Sequence, residues 1–279
     1  MKIAVIGATG FLGSNIIKHF SKKIQIVATY KNKIPKKFIK TKNVKWKFLD
    51  IYEKKNFYKY LGSPDIVIHL AWSNLPNYGL KFHLNKELPK QKKFIHNLVS
   101  GGLKNIFIAG TCFEYGNQNG KLDETMMEKP NNNFALAKCK LKNYTFSLIK
   151  KFNFNLIWGR IFYIYGKHNS RNTLYNQILE SSKKNREEIN VSGGLIRDYL
   201  HMDDISKIIV RLSLNKKNHG LVNICSGRGT SLKTLIKNIC KKENIKSNVR
   251  FIKKKINKYE PNQFWGCNKK LIKCLKTNN

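Results

Sequence analysis

Acidic residues are scarce in this 279-residue chain: Asp and Glu number 16 against 54 Lys and Arg, a formal net charge of +38. Arginine is scarce as well, at 7, so 47 of the cations are lysines. Phosphate-backbone readers cluster arginines in a patch, because the planar guanidinium meets phosphate with two parallel hydrogen bonds. Here the lysines fall in short runs, among them Lys36–Lys37, Lys92–Lys93, Lys150–Lys151 and Lys253–Lys255, spread along the chain beside apolar periodic sequence. They read as solvated helix ends and loops, so no specific nucleic-acid partner is expected, although the field favours small anions. No apolar run approaches the roughly 18 residues of a membrane span, and a strand-like run begins within two residues of Met1, so the cytoplasm is the expected compartment. The 6 cysteines include no C-x-x-C pair, which speaks against a zinc site or a secreted disulfide framework. Gly/Ser/Pro-rich linkers and internal repeats are absent, and 41% hydrophobic residues exclude disorder.

What is present is rhythm. Apolar, β-branched runs at 2–6, 24–30, 44–50, 65–71, 105–110 and 154–162 read as strands. Helical spacing fills the gaps after Gly13 and at 53–61, 80–100 and 134–151. This alternation predicts an α/β doubly wound parallel sheet of the Rossmann kind, since parallel strands need helical crossovers. The division is placed at 1–166 for the dinucleotide-binding part and 167–279 for a smaller α/β substrate-binding region sharing one cleft. In the latter, helices are expected at 172–184, 203–214 and 230–242, and strand-like pieces at 189–192, 221–224 and 249–254.

The sharpest motif is GATGFLG, which places Gly7, Gly10 and Gly13 between the first strand and its helix. Gly7 permits a tight turn, Gly10 lets backbone approach a pyrophosphate, and Gly13 allows helix to pack on strand. The second strand ends in Tyr30, Lys31 and Lys33, with no carboxylate for the ribose 2′-hydroxyl of NAD, and a cation there favours the 2′-phosphate of NADP(H). Asp50-Ile51 closes the third strand, where a carboxylate can accept from an adenine amino group.

With HLA at 69–71, GTCFEYG at 110–116, NNNFALAK at 131–138, GRIFYIYG at 159–166, IRDYLHMDDIS at 196–206 and NICSG at 223–227, these motifs resemble the extended short-chain dehydrogenase/reductases. That is the NAD-dependent epimerase/dehydratase family acting on nucleotide sugars. The likeness spans nearly the whole chain. It implies a dinucleotide held by Gly7, Thr9, Gly10, Phe11, Leu12, Gly13, Lys31, Asp50, Ile51, Leu70, Ala71 and Lys138. It implies a catalytic centre at Thr111, position 134 and Lys138, and a nucleotide-sugar substrate met by Thr111, Arg197 and His168, with Arg197 gripping the diphosphate. A homodimer is compatible with it.

The family's catalytic tyrosine falls at Phe134, which has no ionisable proton. Four explanations stand at this point: relay by Thr111 or water with Lys138, substitution by Tyr115 or Tyr163, an engineered substrate trap, or lost catalysis that leaves a non-catalytic sugar-nucleotide or dinucleotide binder. Family dehydratases place an Asp-Glu pair directly after the Thr, where this chain has Cys112 and Phe113, so dehydration is not expected. The wording of GTCFEYG and of Gly120–Glu124 resembles reductases of dTDP-4-keto-6-deoxyhexoses in deoxysugar and polysaccharide supply. The expected reaction is therefore NAD(P)-dependent reduction of a 4-keto group, with epimerase or 4-dehydrogenase action as the alternative.

Overall fold

The computed structural model describes residues 1–34, 43–53, 56–167, 173–184, 189–192, 194–246, 249–252 and 261–276. The strands are β1 (Lys2–Ile6), β2 (Gln25–Tyr30), β3 (Val44–Phe48), β4 (Ile66–His69), β5 (Asn105–Thr111), β6 (Gly120–Leu122), β7 (Asn155–Ile161) and β8 (Tyr163–Tyr165). Further on come β9 (Ile189–Ser192), β10 (Ile196–Arg197), β11 (Tyr199–His201), β12 (Gly220–Ile224), β13 (Thr230–Ser231), β14 (Val249–Ile252) and β15 (Phe264–Gly266). The helices are α1 (Phe11–Ile16), α2 (Phe57–Tyr60), α3 (Leu88–Ser100), α4 (Asn133–Phe152), α5 (Leu174–Lys184), α6 (Met202–Leu214), α7 (Leu232–Glu243) and α8 (Lys269–Lys276).

Seven strands form one parallel sheet in the order β12-β7-β5-β4-β1-β2-β3, the doubly wound arrangement expected from the sequence. Period-two alternation sends Ile3 and Val5 to one face and Ala4 and Ile6 to the other. On the first face they meet Leu12 and Ile16 of α1 and Ile205, Ile209 and Leu212 of α6. On the second they meet Phe94, Ile95 and Leu98 of α3 and Ala137 and Leu141 of α4. Strand order reverses between β1 and β4, so the loops after these strands diverge to opposite faces and leave a crevice at their carboxyl ends.

Several boundaries differ from the sequence expectation. Residues 221–224 were expected in the smaller region, yet β12 pairs with β7 as an edge of the main sheet. Helix α6 likewise packs on α1 and the sheet, so the chain returns to the large core after residue 166. Apolar strands and amphipathic helices look alike in either region, so local pattern could not assign them. The helix expected at 53–61 is the single turn α2, capped by Asn56, whose side chain accepts from the Lys59 N–H at 3.0 Å. The stretch at 80–100 begins with a π-turn at His83–Glu87 before α3. Strand β15 and helix α8 had not been anticipated; β15 pairs with β6 and ties the C-terminal region to the sheet's crossover loop.

Gly13 shows how tightly α1 sits on β1. A Cβ there would lie 2.3 Å from the Gly7 carbonyl oxygen and 2.9 Å from the Ala8 Cα, both backbone atoms that cannot swing aside. Gly13→Ala is therefore expected to lower the unfolding free energy by about 1–3 kcal/mol in urea titrations, the usual penalty of overpacking. An unchanged midpoint would mean that α1 is free to move away from the strand.

Candidate functional site

The glycine turn is built by local bonds. Gly7 takes a positive φ of 83°, its N–H donates to Thr29 Oγ1 at 3.1 Å, and the Gly10 N–H donates to the Gly7 carbonyl at 3.0 Å. Gly7, Gly10, Phe11, Leu12 and Gly13 line one side of a cavity of about 660 Å³, and Leu70, Thr111, Phe134 and Lys138 line it too. An adjoining cavity of about 100 Å³ shares Gly7 and is lined by Thr9, Lys31, Asp50, Ile51 and Ala71. All the expected dinucleotide residues thus line one or other of two neighbouring cavities that share Gly7. Lys33 is exposed and lines neither.

These spaces fit a nicotinamide dinucleotide. A Cβ on Gly10 would meet only the Gly7 oxygen, at 3.2 Å, so the missing side chain keeps the cavity wall open. The Lys31 ammonium lies 3.5 Å from Asp50 and 5.2 Å from the Tyr52 ring, with a 58% exposed side chain that leaves this pairing weak. Tyr52 and Glu87, which the sequence reading missed, close the small cavity: the Tyr52 hydroxyl donates to buried Glu87 at 2.7 Å.

The catalytic candidates come from two elements. Thr111 ends β5 and caps the 3₁₀ turn Cys112–Tyr115, its Oγ1 accepting from the Phe113 N–H at 3.3 Å. Helix α4 starts at the Asn132 cap, whose side chain accepts from the Ala135 N–H at 2.9 Å, and puts Phe134 and Lys138 on one face, four residues apart. Lys138 reaches across to β5, donating to the Ala109 carbonyl at 2.7 Å, with its Nζ 4.1 Å from the Trp72 ring centroid. Burial pushes its ammonium down to about 8, with Glu114 and Glu87 opposing the shift.

Beneath Thr111 lies a buried charged node. Glu114 is fully enclosed, and its Oε1 accepts from the Thr111 N–H at 2.9 Å and from Trp158 Nε1 at 3.0 Å, while Oε2 takes Arg160 Nε at 2.7 Å. Arg160 continues to Glu128, which also pairs with Lys142. Burial opposes ionisation of Glu128, but the two cations outweigh it and hold its carboxyl below the usual range. Glu114, Glu128 and Cys139 bring three donor atoms together, but Arg160 and Lys142 already neutralise the carboxylates. One signal for this node was legible: Thr-x-x-Glu at 111–114 is a capping-box pattern, and both of its bonds form.

Other candidates fall elsewhere. Tyr115 is buried beneath the site with its hydroxyl 2.8 Å from both the Asp123 carbonyl and Asn223 Oδ1, whereas Tyr163 lines the large cavity. Arg197 is 2% exposed, donates to the Ile196 and Asn262 carbonyls, and borders a third cavity of about 320 Å³ that shares Phe11, Tyr163 and Ile164 with the large one. Its neighbour Asp198 accepts from the Ser226 and Gly227 N–H groups, fastening the loop after β12. His168 lies outside the described residues. Among the described residues no helix is long and apolar enough to cross a membrane.

The chain is similar to known proteins. A model of the NAD dependent epimerase/dehydratase family matches residues 3–225. A dTDP-6-deoxy-L-talose 4-dehydrogenase (NAD(+)) from Aggregatibacter actinomycetemcomitans is 26% identical over 270 residues, covering 95% of this chain and 99% of the relative. An ADP-L-glycero-D-manno-heptose-6-epimerase from Brachyspira hyodysenteriae is 27% identical over 259 residues, 84% of this chain and 79% of that one. Among solved structures, a UDP-N-acetylglucosamine 4-epimerase from Methanobrevibacter ruminantium M1 in complex with UDP-N-acetylmuramic acid superposes with a TM-score of 0.85 at 18% identity. It covers 98% of this chain and 91% of that one.

Glu114→Gln removes the charge that balances buried Arg160. It is expected to lower the unfolding free energy by about 3–5 kcal/mol, the loss seen when one partner of a buried ion pair is removed. A loss below 1 kcal/mol in urea would show that Glu128 alone satisfies the arginine.

Proposed function

The chain belongs to the NAD-dependent epimerase/dehydratase family, and on that premise we propose that it interconverts a hydroxyl and a keto group at C4 of a nucleotide-activated 6-deoxyhexose. With reduced cofactor it runs as a 4-keto reductase supplying glycan precursors. The observation that carries this reading is the meeting of Thr111 and Lys138 with the glycine turn on one cavity at the sheet's reversal point. A bound nicotinamide supplies hydride exchange. Thr111 offers a hydroxyl to the sugar oxygen, Lys138 a cation beside it, and the Trp72, Phe113 and Phe134 rings keep water away.

The position that departs from dehydratases supports the same reading. Cys112 and Phe113 carry no carboxylate, and the one carboxylate in this turn, Glu114, is spent on Thr111, Trp158 and Arg160. No acid or base is left there to expel a C6 hydroxyl. The talose 4-dehydrogenase relative acts on C4 of a 6-deoxyhexose, as its name states, and the heptose epimerase relative favours the alternative of epimerisation.

For the cofactor we favour NADP(H) over NAD(H). Strand β2 closes on Tyr30 and Lys31 with no carboxylate, and Lys31 is the cation lining the small cavity. The NAD(+)-named relative marks the competing outcome.

Two experiments test these readings. Gly10→Asp puts a carboxylate against the pyrophosphate, so calorimetry should show dinucleotide affinity falling by at least about 100-fold together with the 340 nm signal on nucleotide sugars. Unchanged binding would remove the glycine turn from the site. Lys31→Ala should weaken NADPH by roughly tenfold and leave NADH within a factor of two, as expected for loss of one charge-assisted contact. Equal losses, or a parent that binds NADH more tightly, would reverse the preference.

A further inference from the structure

Position 134 offers no proton, so the sugar hydroxyl needs another partner in this chain, if the oxidoreductase reading above holds. Around the Phe134 ring stand Trp72, Tyr78 and His83, with ring centroids 5.7, 5.4 and 5.6 Å away. Two of these are committed to each other. Trp72 Nε1–H donates to His83 Nδ1 at 3.1 Å, which leaves the imidazole proton on Nε2, donating to the Asn77 carbonyl at 2.9 Å. An imidazole so fixed cannot take a second proton without breaking the tryptophan bond. Cys112 lines the same cavity, but burial raises its thiol and keeps it protonated.

Lys138 is different. It is 5% exposed, lines the cavity, and spends one N–H on the Ala109 carbonyl, while its other neighbours are the Trp72 and Phe134 rings, at 4.1 and 5.9 Å. Among the described residues no carboxylate lies within ion-pairing distance of it. Glu114 below β5 and Glu87 at the start of α3 stabilise its cation from a distance, and burial outweighs them, bringing it to about 8. Of the other groups facing it, His69 on β4 is pushed down to about 4 by burial, the Cys112 thiol is raised by burial, and His83 is held between the Trp72 indole and the Asn77 carbonyl. Phe134 and Trp72 maintain this state by excluding water from the amine.

We propose that Lys138 is itself the acid/base group of the site, its amine taking the proton of the C4 hydroxyl on oxidation and its ammonium returning it on reduction. On oxidation the O–H bond breaks as an N–H bond forms. The C4–H bond breaks with its electron pair leaving as hydride to an oxidised nicotinamide, and a carbon–oxygen double bond results. Thr111 holds the same oxygen through its hydroxyl. Phe134 is then a solvent-excluding wall.

Lys138→Arg tests the assignment, because a guanidinium keeps the charge but does not deprotonate. Hydride transfer should fall at least about 100-fold in a variant whose urea midpoint shows it folded. Retained transfer would overturn the proposal. Competitive acetylation of the unloaded parent with trace acetic anhydride, read peptide by peptide, needs no turnover: Lys138 should be half-reactive near pH 8. Titration of Lys138 together with the surface lysines overturns the proposal even if the arginine variant fails to fold. In the parent, kcat/KM for oxidation should rise to a plateau through that same ionisation, and Tyr78→Phe should leave the limb in place. Transfer without such a limb sinks the lysine and spares the oxidoreductase reading. No transfer from any nucleotide sugar sinks both.

Discussion

The buried carboxylate of Glu114 is the constraint on which the site depends. It is wholly enclosed, yet it fixes the Thr111 backbone, the Trp158 indole and the Arg160 guanidinium at once. Those three groups belong to β5 and its neighbour β7, so one side chain ties the turn after β5 to the next strand of the sheet. The desolvation of such a charge is offset only when every lone pair is matched, and here each oxygen has a strong donor. Thr111 is consequently presented to the cavity by a turn that cannot relax independently of the sheet.

The same charge reaches Lys138. Burial in a wall of Trp72 and Phe134 disfavours the ammonium, and Glu114 and Glu87 counter it without touching it. A tyrosine at position 134 would bring a hydroxyl into this wall that must find a partner. Phenylalanine brings no such hydroxyl to the wall. The Lys138 ammonium is thus set by the balance between an aromatic lining and two distant carboxylates.

Much of this was legible in the sequence. Strands β1, β2, β4, β5 and β7 show as apolar runs because both faces of a parallel sheet are covered. The glycine turn shows through its own spacing, and Thr111, Phe134 and Lys138 through the likeness of their motifs to the family; the cavity gathers them. The rest depends on partners distant in sequence. Glu114 could be read as a cap of its own turn, but not as the partner of Arg160, 46 residues away. Trp72 and Tyr78 lie in a loop with no periodicity, and only its packing on α4 makes them a lining; the Phe134 N–H donates to the Tyr78 carbonyl at 3.0 Å. Residues 221–224 read as part of the smaller region but form an edge of the main sheet, because a short apolar run does not say which sheet it joins. Arg197 donates to the Ile196 and Asn262 carbonyls at the edge of a neighbouring cavity, and its second partner lies 65 residues away in sequence.

We propose hydride exchange at C4 of a nucleotide sugar in the cavity that Gly10, Thr111 and Lys138 share. The most direct measurement is to incubate the protein with oxidised dinucleotide and a nucleotide-activated 6-deoxyhexose deuterated at C4, and to follow the label by mass spectrometry. The deuterium should move intact to the nicotinamide ring as the 4-keto sugar forms. Label lost to solvent, or retained on the sugar with no reduced dinucleotide, would contradict it.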